Sequence, residues 1–252
     1  MGVRADRSRA DRLRADRPRA ILFDLDGTLL DTSEVYRLAT RYILDKYLGS
    51  TEASGEVDRL WGLPLDVIMA RLHVEASKDM VRDFVAFYMA NHAGRVHPYP
   101  GVPQALEALL AGGQRVAIVT SKRRAPAESD LELAGLAGMH DVLVCHEDVK
   151  SHKPDPAALL LALERLACPA RAALMVGDSV VDVEAGRAAR IPTAAALWGT
   201  LDAPSLLSAG PDYALKTTRD LEPFCIKAPA WLREAGAGCP GSSGTGTPVP
   251  GR

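Results

Sequence analysis

The chain has 252 residues, 47% hydrophobic and 25% charged, with 30 Lys and Arg against 32 Asp and Glu and a formal net charge of -2. That composition fits a globular core plus a smaller domain, and its charge balance gives no sign of a nucleic-acid or acidic-membrane partner. No apolar stretch approaches the roughly 20 residues that cross a bilayer, and four scattered cysteines without a CxxC pair read as reduced thiols of a cytoplasmic protein.

The first segment, 1–19, repeats a five-residue unit three times: Arg4-Ala5-Asp6-Arg7-Ser8, Arg9-Ala10-Asp11-Arg12-Leu13 and Arg14-Ala15-Asp16-Arg17-Pro18. A period of five buries neither a helix face nor a strand face, so a solvated, disordered leader is expected. A basic docking arm or a transit peptide is the alternative, and the regular aspartates speak against the latter. At the other end, 227–252 is rich in Gly, Ser, Thr and Pro and reads as a flexible tail, with Trp231 as a candidate docking residue at its start.

Between these ends, short β runs alternate with helical periodicity. Candidate strands are Ala20-Phe23, Val116-Thr120, Val142-Cys145, Ala173-Val176 and Thr193-Ala196. Val102, Ala105, Leu106, Leu109 and Leu110 follow a helical stripe, as do Leu159, Leu160, Leu163 and Leu166. Asp155 before Pro156 predicts an N-cap followed by proline at the first helical position. Alternation of this kind predicts an α/β fold, a Rossmann-like, doubly wound parallel sheet formed by 20–32 and 98–226. Segment 33–97 breaks the pattern. It is helical throughout, with no strand candidate and with stripes at Val35, Leu38, Ala39, Tyr42, Ile43 and at Val81, Phe84, Val85, Tyr88. A separate helical cap inserted after the first strand is expected. His97-Pro98-Tyr99-Pro100-Gly101 would form its return hinge, and Trp61-Gly62-Leu63-Pro64 a turn between its helices.

Asp24-Leu25-Asp26-Gly27-Thr28 follows directly on the first apolar run. Two carboxylates at i and i+2 of an extended segment face one spot, and such close like charges need a cation or a shared proton. In an open parallel sheet, ligands bind beyond the carboxyl ends of strands. Asp24 and Asp26, then Thr120-Ser121-Lys122, then Asp178 with Asp182 four residues on, all fall at strand ends, and Lys153 opens a neighbouring helix. These types suit phosphoryl transfer. Asp24 can attack phosphorus, and Asp26 can protonate the leaving oxygen and then activate water. Lys153 supplies charge, Thr120 and Ser121 hydroxyls, and Gly27 a backbone N–H. Asp24 and Asp178 suit Mg²⁺, a hard ion that prefers oxygen.

Asp24-Leu25-Asp26-Gly27-Thr28-Leu29-Leu30-Asp31-Thr32, Ile118-Val119-Thr120-Ser121-Lys122, His152-Lys153-Pro154-Asp155-Pro156 and Val176-Gly177-Asp178-Ser179-Val180-Val181-Asp182 resemble, in order and spacing, the four motifs of the haloacid dehalogenase superfamily. Within it the chain is similar to the phosphoglycolate phosphatase and pyrophosphatase branch, whose members carry a helical lid between the first two motifs. The resemblance implies Asp24 as nucleophile, Asp26 as acid and base, and phosphate binding by Thr120 and Lys153. It also implies Mg²⁺ held by Asp24, the backbone carbonyl of Asp26, and Asp178, with Asp182 in support. Asp26 stands where the dehalogenases have an aromatic residue, which points to a phosphatase or a phosphomutase.

The expected activity is hydrolysis of a small phosphorylated metabolite, a phosphoglycolate-type monoester first, by a monomer or homodimer. Inorganic pyrophosphatase and sugar phosphomutase are the enzyme alternatives, and an idle phospholigand-binding relative is the non-enzyme one. A calcium loop is a poor fit, because Leu29 and Leu30 replace ligand positions. Asp31 with Glu34 reads as a capping box. Lys122 reads as a phosphate contact or a surface residue, and Cys145 as core. Of Arg41, Lys46, Arg59 and Arg71 on the cap, any one could meet a substrate carboxylate.

Overall fold

The computed structural model describes residues 18–48, 69–70, 77–221 and 247–248. The repeat leader up to residue 17, Arg59, the Trp61-Pro64 turn, Arg71, Cys225, Trp231, Cys239 and nearly all of the tail lie outside the described residues. In chain order the elements are β1 (Ala20–Phe23), β2 (Leu30–Asp31), α1 (Ser33–Leu48), α2 (Lys78–Asn91), β3 (His97–Pro98), α3 (Val102–Ala111), β4 (Arg115–Val119) and α4 (Arg124–Leu133). There follow β5 (Val142–Val144), α5 (Ala157–Arg165), β6 (Ala173–Gly177), α6 (Val180–Ala188), β7 (Thr193–Ala196), α7 (Ala203–Ser208), β8 (Tyr213–Leu215) and β9 (Thr247–Pro248).

One sheet runs β5-β4-β1-β6-β7-β8-β9. Its first six strands are parallel, and β9 adds antiparallel to β8. β1 lies at the centre, with Ile21 opposite both Val116 and Leu174. All four β1 residues are fully buried, because helices cover both faces of the sheet. Successive side chains alternate between the faces. Ile21 and Phe23 join Val102, Leu106 and Leu109 of α3 and Leu131 of α4. Leu22 joins Leu159 and Leu163 of α5 and Ala185 of α6. The fold is a Rossmann-like α/β sheet with a helical cap inserted after the first strands. The chain leaves β1 toward β4 and β5 on one side, then crosses to β6, β7 and β8 on the other. That reversal opens a crevice beyond the carboxyl ends of β1, β4 and β6.

In the cap, α1 and α2 pack through Tyr42 stacked on Phe87 at 4.5 Å and Tyr36 edge-on to Phe84 at 5.3 Å. The Ser77 hydroxyl caps α2 by accepting from the Met80 N–H. The apolar cluster beneath α3 continues into the cap through Ile43, Met80 and Phe84.

Four expectations change. His97 and Pro98 form a strand, pairing antiparallel with Leu30 and Asp31, so the outgoing and returning chains are tied to each other. Leu160 is exposed, at 47%, although Leu159, Leu163 and Leu166 are buried. The helix begins one residue later than expected, with Pro156 at the N-cap position, while the Asp155 carboxylate accepts from the Ala157 N–H at 2.9 Å. Asp31 accepts from the Ser33 N–H and hydroxyl, as a cap should, but Glu34 turns to Arg95 rather than closing a box. No helix among the described residues is long and apolar enough to cross a membrane.

Candidate active site

Each strand end delivers its polar residue to the crevice. Asp24 leaves β1, Thr120 leaves β4 and Asp178 leaves β6, each as the first residue past an apolar run. Asp182 sits in the first turn of α6, where its carboxylate accepts from the N–H and hydroxyl of Ser179 in a capping box. Carboxylate oxygens of Asp24, Asp178 and Asp182 lie within 4.8 Å of one another, and all three residues are buried. Lys153 reaches in from before α5. Its ammonium is 2.5 Å from Asp24 Oδ1 and 2.6 Å from Asp182 Oδ1, and it also donates to the Val119 carbonyl at 3.1 Å.

Crowding and burial dominate the electrostatics. Burial pushes the Asp24 carboxyl up to about 7; Lys153 opposes this, and the negative charges of Asp182 and Asp26 add to it. Burial likewise pushes Asp178 well above the usual carboxylate range, helped by Asp24 and Asp182. Burial works against the Lys153 charge, but Asp182 and Asp24 more than reverse that, so its pKa is raised.

The donor set fits a hard divalent cation. Asp178 is 3% exposed and accepts a hydrogen bond from the Thr28 hydroxyl at 2.7 Å, yet it pairs with no basic side chain among the described residues. A buried carboxylate without a cation is costly, and oxygen donors at this spacing are what Mg²⁺ takes. Asp24 keeps its second carboxylate oxygen without a hydrogen bond among the described residues. Both oxygens of Asp182 are in use, on Lys153 and Ser179.

The remaining expected residues divide. The Thr120 hydroxyl accepts from the Lys122 N–H at 3.1 Å, and its own proton has no acceptor among the described residues. Ser121 is half-buried beside it. Gly27 needs correction. Its N–H donates to the Leu30 carbonyl at 2.8 Å, so it is not a free donor for phosphate. What requires glycine is a φ of +85° and the Asp178 carboxylate, which a Cβ would strike. Lys122 is neither a phosphate contact nor a surface residue, since its ammonium is bound to Asp26, Asp130 and Tyr88. Cys145 is buried, and burial pushes its thiol up to about 12, which keeps it protonated and inert. His152 stacks on His146 with ring centroids 4.0 Å apart. Lys46 is paired with Asp83 at 2.6 Å, and Arg41 is exposed.

Sequence reasoning missed Tyr88, His92 and Asp130 as neighbours of the site. Tyr88 and His92 come from the end of α2, and Asp130, fully buried, from α4. Tyr88 did carry a signal, as an apolar-stripe residue with a hydroxyl that burial obliges to find a partner.

A protein-family model described as haloacid dehalogenase-like hydrolase matches residues 21–196. The chain is 37% identical over 202 residues to a protein of Bacillus velezensis named pyrophosphatase PpaX, covering 80% of this chain and 94% of that one. It is 35% identical over 205 residues to a phosphoglycolate phosphatase of Aquifex aeolicus, covering 81% and 94%. A crystal structure of a hydrolase from Pseudomonas syringae superposes with a TM-score of 0.72 at 24% identity, covering 81% and 95%, and shares the fold.

Proposed function

The chain belongs to the haloacid dehalogenase-like hydrolases, and from that premise we propose that it is a Mg²⁺-dependent phosphohydrolase working through an aspartyl-phosphate. The observation that carries this reading is the meeting of Asp24, Asp178 and Asp182 within 4.8 Å, with Lys153 in contact with the first and last of them. Asp24, Asp178 and the backbone carbonyl of Asp26 would hold the metal, and Asp182 would hold Lys153. A bound Mg²⁺ supplies the charge that keeps Asp24 ionised beside its neighbours and beside an anionic substrate.

The protein's own residues account for the rest of the reaction. A carboxylate oxygen of Asp24 attacks phosphorus, and the bond from phosphorus to the leaving oxygen breaks. That oxygen takes a proton from Asp26 as it departs. Asp26 then takes a proton from water, whose oxygen attacks the aspartyl-phosphate. Phosphate leaves, and the Asp24 carboxylate is restored. Lys153, its three N–H donors held by Asp24, Asp182 and the Val119 carbonyl, neutralises the phosphoryl oxygens by its charge, and the unused proton of Thr120 orients them.

For substrate, the order expected from sequence is reversed. Inorganic pyrophosphate comes first and a phosphoglycolate-type monoester second, because pyrophosphatase recurs as the name of the relatives more often than phosphoglycolate phosphatase does. Phosphate release is measured from pyrophosphate, phosphoglycolate and p-nitrophenyl phosphate, with Mg²⁺ and with a chelator. The expected result is Mg²⁺-dependent release, greatest from pyrophosphate. Asp24→Asn should lose at least about 10³-fold in kcat, as removal of a nucleophile does, while keeping a cooperative melt. Activity retained in that variant, or release unaffected by chelation, would overturn the assignment.

A further inference from the structure

Lys122 ends the run that follows β4. Its ammonium is 2.7 Å from Asp26 Oδ1, 2.8 Å from the Tyr88 hydroxyl and 2.5 Å from Asp130 Oδ2. A lysine has three N–H donors, and here three acceptors take them, so none is left for substrate. The Tyr88 hydroxyl in turn donates to Asp130 Oδ2 at 2.7 Å, and its ring lies 4.5 Å from the Lys122 ammonium. The other oxygen of Asp130 meets His92 Nδ1 at 2.7 Å. Lys122 and Asp130 belong to the core, whereas Tyr88 and His92 belong to the cap. Four groups from two parts of the chain are thus linked, and through Lys122 they end on one oxygen of Asp26, to which the Thr32 hydroxyl also donates at 2.6 Å. Asp26 Oδ2 has no hydrogen-bond partner among the described residues.

We infer that Lys122, Asp130 and Tyr88 form a positioning bridge, through which the docked cap fixes Asp26 Oδ1 and so aims Oδ2 at the leaving oxygen of the substrate. This rests on the proposed role of Asp26 as proton donor. A buried ion pair by itself is weak evidence of stabilisation, and a core that needed only to bury Lys122 could do so with Asp130. What the bridge adds is geometry. With one oxygen held by two donors, the carboxyl plane cannot swing, and the free oxygen keeps one direction. Tyr88 makes that geometry depend on the cap, since moving α2 off the core strips Lys122 of one partner and Asp130 of two.

The test compares two esters that differ in their need for a proton. Phenyl phosphate leaves a basic phenolate, and p-nitrophenyl phosphate leaves one stable without protonation. Tyr88→Phe removes one buried oxygen and keeps the ring. It should lower kcat/KM for phenyl phosphate about tenfold, a fraction of the roughly 10²–10⁴ that a general acid supplies, and for p-nitrophenyl phosphate by no more than about twofold. Asp130→Asn, which keeps shape and hydrogen bonding, should give the same split through the core side of the bridge. Equal losses on the two esters, or no loss on either, would overturn the bridge. Asp26→Asn, read in a single turnover by release of the phenol so that its later role as base does not enter, separates the two readings. If it too affects both esters equally, Asp26 is not the proton donor and the underlying assignment fails. If it splits the esters while Tyr88→Phe and Asp130→Asn do not, the bridge alone fails. Wild-type protein that releases phosphate from neither ester nor pyrophosphate in Mg²⁺ would remove both.

Discussion

Gly27 and Gly94 share a backbone conformation but not a neighbourhood, and the pair separates strain from site geometry. Gly27 has φ +85° and the Asp178 carboxylate where a Cβ would be, while Gly94 has φ +75° with nothing within 4 Å. Forcing an L residue into this region costs about 1–2 kcal/mol, and both Gly→Ala variants should lose that much. Gly27→Ala must also push Asp178 aside, and Asp178 is a proposed metal ligand. Its thermal midpoint should therefore fall further, and its Mg²⁺ affinity should drop where that of Gly94→Ala does not. Melts and calorimetric Mg²⁺ titrations read the two effects separately. Matching affinities in the two variants would mean that Asp178 does not hold the ion. Asp24, Thr120 and Asp178 were legible in sequence because each is a polar residue closing a run that is apolar on both faces. Lys122, Asp130 and Tyr88 were not legible as a set. Lys122 and Tyr88 are 34 residues apart, and Tyr88 and Asp130 are 42 apart, and each alone fits an ordinary helix or loop pattern.

At the scale of elements, legibility followed length and burial. β1 begins and ends where its apolar run does, and β7 takes the expected bounds Thr193–Ala196, both strands being buried along their whole length. β2 and β3 have two residues each and β8 three, too short for any periodicity to register. They exist because neighbouring chain supplies their partners. The stripe on α5 failed in one place for a similar reason. Four leucines at helical spacing cannot reveal how wide a face the sheet covers, and the covered face includes Leu159 but not its neighbour. Leu159→Ala should cost about 2–5 kcal/mol, as for a buried leucine, and Leu160→Ala no more than roughly 0.5 kcal/mol. Chemical denaturation of the two variants decides this. Similar losses in both would mean that Leu160 is covered in solution.

For the whole molecule, the acids at the sheet's edge set a conflict between folding and function that a bound divalent metal would resolve. Asp24 is raised to about 7 and Asp178 well above its usual value, both chiefly by burial. A carboxyl that binds its proton more tightly when folded contributes stability below its unfolded pKa, near 4, and loses it as pH rises through the folded value. Without metal, stability should therefore decline from about pH 4 to 7 and beyond, by on the order of a few kcal/mol. Asp83, Asp148 and Asp202 have lowered pKa values, Asp83 and Asp202 through hydrogen bonds and Asp148 despite the opposing effect of its burial. Their stabilising contributions are lost on acidification below about 4, outside that window. Metal binding favours the ionised carboxylates, so Mg²⁺ should raise the thermal midpoint more at pH 8 than at pH 5. Asp178→Asn removes one of the crowded acids. In chelator it should melt above wild type at pH 8, with a smaller difference at pH 5, and it should lose most of the response to Mg²⁺. Melts at both pH values, with chelator and with Mg²⁺, measure all of these quantities. A chelated wild type that gains stability relative to Asp178→Asn as pH rises would show that these carboxylates are not the strained acids their burial implies.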